Sequence, residues 1–219
     1  MNPTIDILLN RRSVRAYSDK PVSSEVRQTI FDCAVRAPTA GNMMLYSMVE
    51  ITDQALKDRL VVTCDNQPFI AKAPLLILFL ADYQRMFDFY MASGLEEYAA
   101  SEKAPLRRPE EGDFLLAVND ALIAAQSAVT AAESLGLGSC YIGDIMENYE
   151  AHRDMFGLPD YTFPVTLVCF GYPKTSGPAS GSGPGLIPRY EEKFVRFENR
   201  YKRFEPDQLL HLTDRLEAW

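Results

Sequence analysis

The sequence predicts a single domain of mixed helix and strand, on three observations. Pro74 to Ala81 is apolar without alternation, as suits a strand covered on both faces. Asp113 to Leu135 is a long alanine- and leucine-rich stretch, polar only at intervals, which reads as a central helix. The chain of 219 residues is 47% hydrophobic and 24% charged, enough for one sizeable core.

The elements follow in order. Asn2-Pro3 reads as a cap followed by proline at the first helical position, with Ile5, Leu8 and Leu9 on one apolar face. Ser23 or Ser24 caps a second helix, whose apolar residues Val26, Ile30, Cys33, Ala34 and Ala37 recur at helical spacing up to Pro38. Pro38 to Asn42 is a loop, Tyr46 to Ile51 a strand, and Asp53 caps a short helix. Gln84 to Ala100 reads as one helix, and 101–112 as a charged, proline-bounded connection. The long helix ends at Gly136 in a left-handed cap. Gly138 to Gly143 is a short strand, Asn148 to Gly157 a helix, and Thr162 to Tyr172 the last core strand. Residues 174–188 are rich in glycine, proline and serine and read as a flexible loop. In the arm 189–219, Tyr190 to Phe204 fits either a helix or a strand. Glu205-Pro206 then opens a helix with Leu209, Leu212, Leu216 and Trp219 on one stripe, which needs a surface to pack on, its own or a partner's.

Net charge of −8 argues against nucleic acid or an anionic membrane as partner. The longest unbroken apolar run, Leu75 to Ala81, is too short to span a bilayer, and the first residues lack the features of a signal peptide. A cytoplasmic protein is the expectation. Cys33, Cys64, Cys140 and Cys169 are scattered through apolar contexts, without a C-x-x-C pair and with only two histidines in the chain. They read as buried, reduced thiols, and no metal site is expected. Gly181-Ser182-Gly183-Pro184-Gly185 lacks the strand and capped helix of a phosphate loop, so linker is the reading.

Against this acidic background stands Arg11-Arg12-Ser13-Val14-Arg15. Planar guanidinium forks donate paired hydrogen bonds and suit phosphate, so a small anionic ligand is the expectation.

Five stretches in order, Arg11-Arg12-Ser13-x-Arg15, Ala37-Pro38-Thr39-Ala40-Gly41-Asn42, Gln67-Pro68-Phe69, Leu135 to Gly143 and Pro188-Arg189, together resemble the nitroreductase family of flavin mononucleotide (FMN) proteins. The tail Phe197-Glu198-Asn199-Arg200-Tyr201 is further similar to the oxygen-insensitive, NADPH-using branch. The resemblance implies an α+β fold with a central mixed β-sheet flanked by helices, and a homodimer across which the C-terminal arm is exchanged. It implies electron transfer from NADPH or NADH through FMN to nitroaromatics, quinones or flavins, in ping-pong order. By the same resemblance, Arg11, Arg12, Ser13 and Arg15 hold the phosphate, ribityl chain and pyrimidine edge, with Arg189 as a second phosphate ligand. Thr39 and Asn42 reach the cofactor from the partner subunit, Gln67 meets the polar edge, and Tyr141, Ile142 and Gly143 line the ring. No side chain is expected to be catalytic in itself. Arg15 supplies positive charge where negative charge develops on reduction, and Gly143 permits close backbone approach.

The chain departs from the family pattern in three places. Ile187 stands where a lysine is common, Asp144 stands where a second glycine is common, and Met43-Met44 makes the acceptor side more apolar. Other flavin chemistry on the same fold (dehalogenation, dehydrogenation or enone reduction) and a non-catalytic flavin-binding module are the alternatives.

Overall fold

The computed structural model describes residues 2–174 and 186–217. They fall into two compact units, Met1–Ser180 and Gly181–Trp219.

The first unit is built on a four-stranded sheet in the order β1-β2-β4-β3, with β1 Tyr46–Glu50, β2 Leu75–Asp82, β3 Gly138–Ile142 and β4 Thr162–Gly171. All three named pairs are antiparallel. The mixed character expected of the sheet is confined, among the described residues, to one parallel bridge, Ser13 to Ser139, on the edge strand β3. The two central strands β2 and β4 are buried along almost their whole length, as their unalternating apolar sequences require.

Helices cover both faces. On one side α2 (Ser24–Val35) and α7 (Glu111–Ser134) enclose a core with Leu75, Ile77, Phe79, Val168 and Phe170. Alanines at 117, 121, 124, 125, 128 and 132 let α7 lie close to the sheet. On the other side α3 (Gln54–Thr63), α4 (Phe69–Lys72) and α8 (Tyr149–Phe156) close over Leu76, Leu78, Leu167 and Cys169. The caps fall where the sequence puts them: Asn2 on α1 (Pro3–Asn10), Ser23 on α2 and Asp53 on α3 each accept a backbone N–H through the side chain. Gly136, at φ +80°, turns the chain after α7, a conformation open to glycine at little cost.

Several expectations need correction. Residues 84–100 are two helices, α5 (Gln84–Ala92) and α6 (Leu95–Ser101), because Gly94 takes φ +89° between them. Helix α7 is not enclosed on all sides: Phe114, Leu115, Leu122 and Ile123 are exposed on it, as are Ile5, Leu8 and Leu9 on α1. By length and composition alone, α7 is also apolar enough to cross a membrane. Cys33 is exposed, whereas the other three cysteines are buried.

The second unit, taken by itself, carries neither a long helix nor a strand among its described residues. It has a 3-10 turn at Glu192–Phe194 and two four-residue helices, α9 (Pro206–Leu209) and α10 (Asp214–Glu217). Phe194, Phe197, Tyr201 and Phe204 pack on one another, with ring centroids 5.1–5.9 Å apart. The aromatic stripe thus forms a local cluster, and the single final helix expected after Glu205 is interrupted. Most of the 174–188 loop, with the glycines of 181–185, and Trp219 lie outside the described residues.

Candidate functional site

The basic stretch leaves α1 and runs in extended form across the ends of β3 and β4. Val14 N–H donates to the Ser139 carbonyl at 2.8 Å, Ser18 N–H to the Tyr172 carbonyl at 2.8 Å, and Lys174 N–H to the Ala16 carbonyl at 3.1 Å. Two glycines make the crossing possible. A Cβ on Gly138 would lie 2.4 Å from Val14 Cγ2, and one on Gly171 would lie 2.7 Å from Tyr17 Cδ1. Neither separation is sterically tolerable. Tyr17 locks the crossing by donating its hydroxyl to the Val14 carbonyl at 2.7 Å, and burial raises its pKa.

This strand-like docking brings Arg11, Ser13 and Arg15 against β3. Arg11 Nη1 is buried and, among the described residues, has no hydrogen-bond partner. Glu133, at the end of α7, accepts from Ser139 Oγ at 2.9 Å. Burial raises its pKa, against the opposing pull of that hydrogen bond and of the Arg11 charge. Burial likewise raises Cys140, whose thiol lies near Arg15, Ser13 and Arg11. The Arg15 guanidinium stands 5.9 Å from the centroid of Phe69, which ties the cluster to the start of α4. Arg12 is exposed. Tyr141, pushed up to about 12 by burial, donates its hydroxyl to Gln126 Oε1 at 3.2 Å.

The chain beyond β3 carries Ile142, buried in the core, and Gly143, exposed at φ −79°. Nothing within the fold demands glycine at 143: a Cβ there would meet only Met146 Cε, at 3.9 Å. The 3-10 turn Asp144–Met146 follows. Gln67 Nε2 donates to Asp144 Oδ2 at 2.9 Å and to the Cys64 carbonyl at 3.0 Å. The turn is anchored from below by His152, fully buried, whose Nδ1 lies 2.7 Å from the Ile145 carbonyl and whose Nε2 lies 2.8 Å from Thr63 Oγ1. The carbonyl can only accept, so Nδ1 carries a proton, while Nε2 faces a hydroxyl that itself donates to the Arg59 carbonyl at 3.2 Å. Burial lowers the pKa of the ring.

The Pro38–Asn42 loop is organised by a residue from α7. Asp120, 2% exposed, accepts from the Thr39 hydroxyl, from Ala40 N–H at 3.0 Å and from Leu45 N–H at 3.1 Å. Thr39 Oγ1 also accepts from Met44 N–H at 2.9 Å, so its hydroxyl is committed to the loop. Asn42, exposed, and Met44 sit at φ +57° and +50°, left-handed conformations that the hydrogen bonds hold in place. Beside the loop, Phe31, Val35, Met43, Met44, Met48 and Arg85 line a groove of about 450 Å³.

The fold therefore brings together Arg11, Ser13, Arg15, Gln67, Tyr141 and Gly143 around β3 and the turn after it. Thr39 and Asn42 lie on a separate loop, and Arg189 is exposed in the second unit. Sequence reasoning missed Glu133 and Ser139, whose pairing with the basic strand needs the sheet to be assembled. It also missed the Gln67–Asp144 contact. The signal for that contact was present, since Gln67 and Asp144 were each singled out, but nothing local joins them.

The class these features define is an α+β domain with an arginine-lined site on its edge strand. The nitroreductase family model matches residues 8–172, and the chain belongs to the nitroreductase family. It is 32% identical over all of its length to the oxygen-insensitive NADPH nitroreductase of Salmonella typhimurium, covering 83% of that protein. It is 31% identical over 92% of its length to an FMN reductase (NADPH) of Bacillus subtilis, covering 75% of it. Among solved structures, nitroreductase A from Vibrio parahaemolyticus superposes with a TM-score of 0.84 at 26% identity, over all of this chain and 84% of that one. The NADPH:FMN oxidoreductase of Vibrio harveyi, solved in complex with NAD+, gives 0.81 at 27% identity over 99% and 86%.

Proposed function

We propose that this chain is an FMN-dependent oxidoreductase that passes electrons from NADPH or NADH to a small acceptor, a nitroaromatic, a quinone or a flavin, in ping-pong order. The observation that carries this reading is the buried Arg11 Nη1, without a partner among the described residues, within the Arg11–Ser13–Arg15 cluster. A desolvated guanidinium donor left without an acceptor costs free energy on the order of 1–3 kcal/mol or more, so the position favours an anion that accepts from it. The residues fit the cofactor on a second count. Gly143 leaves open the space a side chain would fill, with only a flexible methionine end at 3.9 Å.

On this reading Arg11, Arg12 and Ser13 bind phosphate and ribityl oxygens, with Arg189 arriving from the second unit. Gln67 meets the polar edge of the ring, and Tyr141, Ile142 and Gly143 form its floor. Bound FMN supplies hydride acceptance and donation. Arg15 contributes a fixed positive charge beside the site, and Phe69 next to it excludes water from one side. A homodimer with the arm exchanged completes the proposal, and with it the 1–219 chain acts as one functional domain. The exposed apolar residues of α1 and α7 support this, because a contiguous apolar surface favours burial against a partner. Thr39 and Asn42 then reach the site from the partner subunit.

The test is direct. Purified protein is expected to carry flavin absorbance or to acquire it on adding FMN, and anaerobic addition of NADPH or NADH is expected to bleach it. Protein that stays colourless in the presence of FMN refutes the reading.

A further inference from the structure

The clamp formed by Gln67 and Asp144 has a directional consequence. A glutamine amide carries two N–H donors on nitrogen and only acceptor capacity on oxygen. Both partners of Gln67 Nε2 are oxygens that accept: Asp144 Oδ2 at 2.9 Å and the Cys64 carbonyl at 3.0 Å. A flipped amide would set its own oxygen against both of them, so the orientation is fixed by chemistry. The two N–H groups are spent within the protein. Oε1 has no partner among the described residues, and Gln67 is half-buried, with part of its surface open.

The turn that carries the carboxylate is anchored. Asp144 opens the 3-10 turn whose Ile145 carbonyl is tied to His152, and His152 is tied in turn to Thr63, the residue before Cys64. Gln67 is therefore gripped by two groups that are themselves connected through a buried histidine. With glycine at 144 the amide would keep at most the Cys64 contact, and the N–H now given to Asp144 would be free to turn outward.

We propose that Asp144 is a positioning residue that makes Gln67 an obligate hydrogen-bond acceptor, so that the site selects ligands presenting an N–H there. This rests on the flavin reading above. The flavin pyrimidine offers one such group, the imide N–H between two carbonyls. A ligand with the same ring but no hydrogen at that nitrogen meets a carbonyl oxygen it cannot satisfy.

The experiment compares binding of FMN and 3-methyl-FMN to flavin-free protein, by quenching of flavin fluorescence, in the wild type and in Asp144→Ala and Asp144→Asn. Wild type is expected to favour FMN over the methylated analogue by tenfold or more, about the factor that one unpaired polar group produces. In Asp144→Ala the ratio is expected to fall to about threefold or less, because the amide rotates and offers an N–H. Asp144→Asn, whose side-chain oxygen still accepts from Gln67, is expected to restore most of the ratio. A ratio is insensitive to the fraction of protein that folds. A wild type that binds both flavins equally, or an Asp144→Ala protein that keeps the full ratio, overturns the role of Asp144 while leaving the flavin reading intact. Protein that binds neither flavin fails the flavin reading itself.

Discussion

Replacing Asp120 by asparagine separates a charge at the centre of α7 from the shape of the side chain. Asp120 is 2% exposed and receives three donors, the Thr39 hydroxyl and the N–H groups of Ala40 and Leu45. An asparagine has one acceptor oxygen. Whichever way its amide is turned, one backbone N–H, from Ala40 or from Leu45, faces an amide N–H instead of an oxygen. A hydrogen bond to a charged group contributes about 1.5–3 kcal/mol, and the donor left over adds a desolvation cost of about 1–3 kcal/mol. Removing a buried charge offsets part of this. The net expectation is a loss of about 2–3 kcal/mol in unfolding free energy. For a chain of this size that corresponds to a fall in Tm of roughly 4–12 °C. Urea unfolding followed by far-UV circular dichroism measures it, at one protein concentration so that association does not enter. A loss below about 0.5 kcal/mol would refute the argument, since the left-handed residues Asn42 and Met44 would then be held by something else.

Other outcomes follow from the same geometry. Gly138→Ala drives a methyl group into Val14, displacing the basic strand; FMN affinity is expected to fall at least tenfold, measured by fluorescence titration, and unchanged affinity counts against the packing argument. Arg11→Met removes the guanidinium whose buried Nη1 has no partner among the described residues. The flavin-free protein is expected to melt at the same temperature or higher, while FMN binding weakens by a hundredfold or so, in keeping with about 1.5–3 kcal/mol for a charge-assisted bond. His152 is buried, and burial lowers its pKa below the ordinary 6.5. The unfolded chain therefore binds the extra proton first as pH falls, so this contribution is fully present above about pH 6.5 and is lost below it. Unfolding free energy measured from pH 7.5 to 5.5 should drop in the wild type and drop less in His152→Gln.

Much of the fold was legible because its signals are local. Caps at Asn2, Ser23 and Asp53, the stop at Gly136 and the apolar run of β2 each declare themselves within a few residues. The break at Gly94 was missed because the aromatic and methionine pattern on either side of it continues at helical spacing. The outward face of α7 was misread for a related reason: periodicity reports an apolar surface without saying whether this chain or another covers it. At the site, the arginine cluster stood out by composition alone. What joins to it did not, because Glu133 and Ser139 are ordinary residues until β3 is laid beside residues 13–14. The pairing of the Thr39 hydroxyl with Asp120 was invisible for the same reason, because the two residues stand 81 positions apart in the chain.

The crossing of residues 13–18 over β3 and β4 also dictates when the molecule can first grip anything. The arginines leave the ribosome early, yet the two strands they must cross are complete only at residue 171, and Gly138 and Gly171 accept the crossing together only once β3 and β4 are paired. A nascent chain halted before β4 would hold β3 without the strand it pairs with, and the crossing without its anchor at Tyr172. Occupancy of the site is thus a report that synthesis and assembly of the first unit have both run to completion.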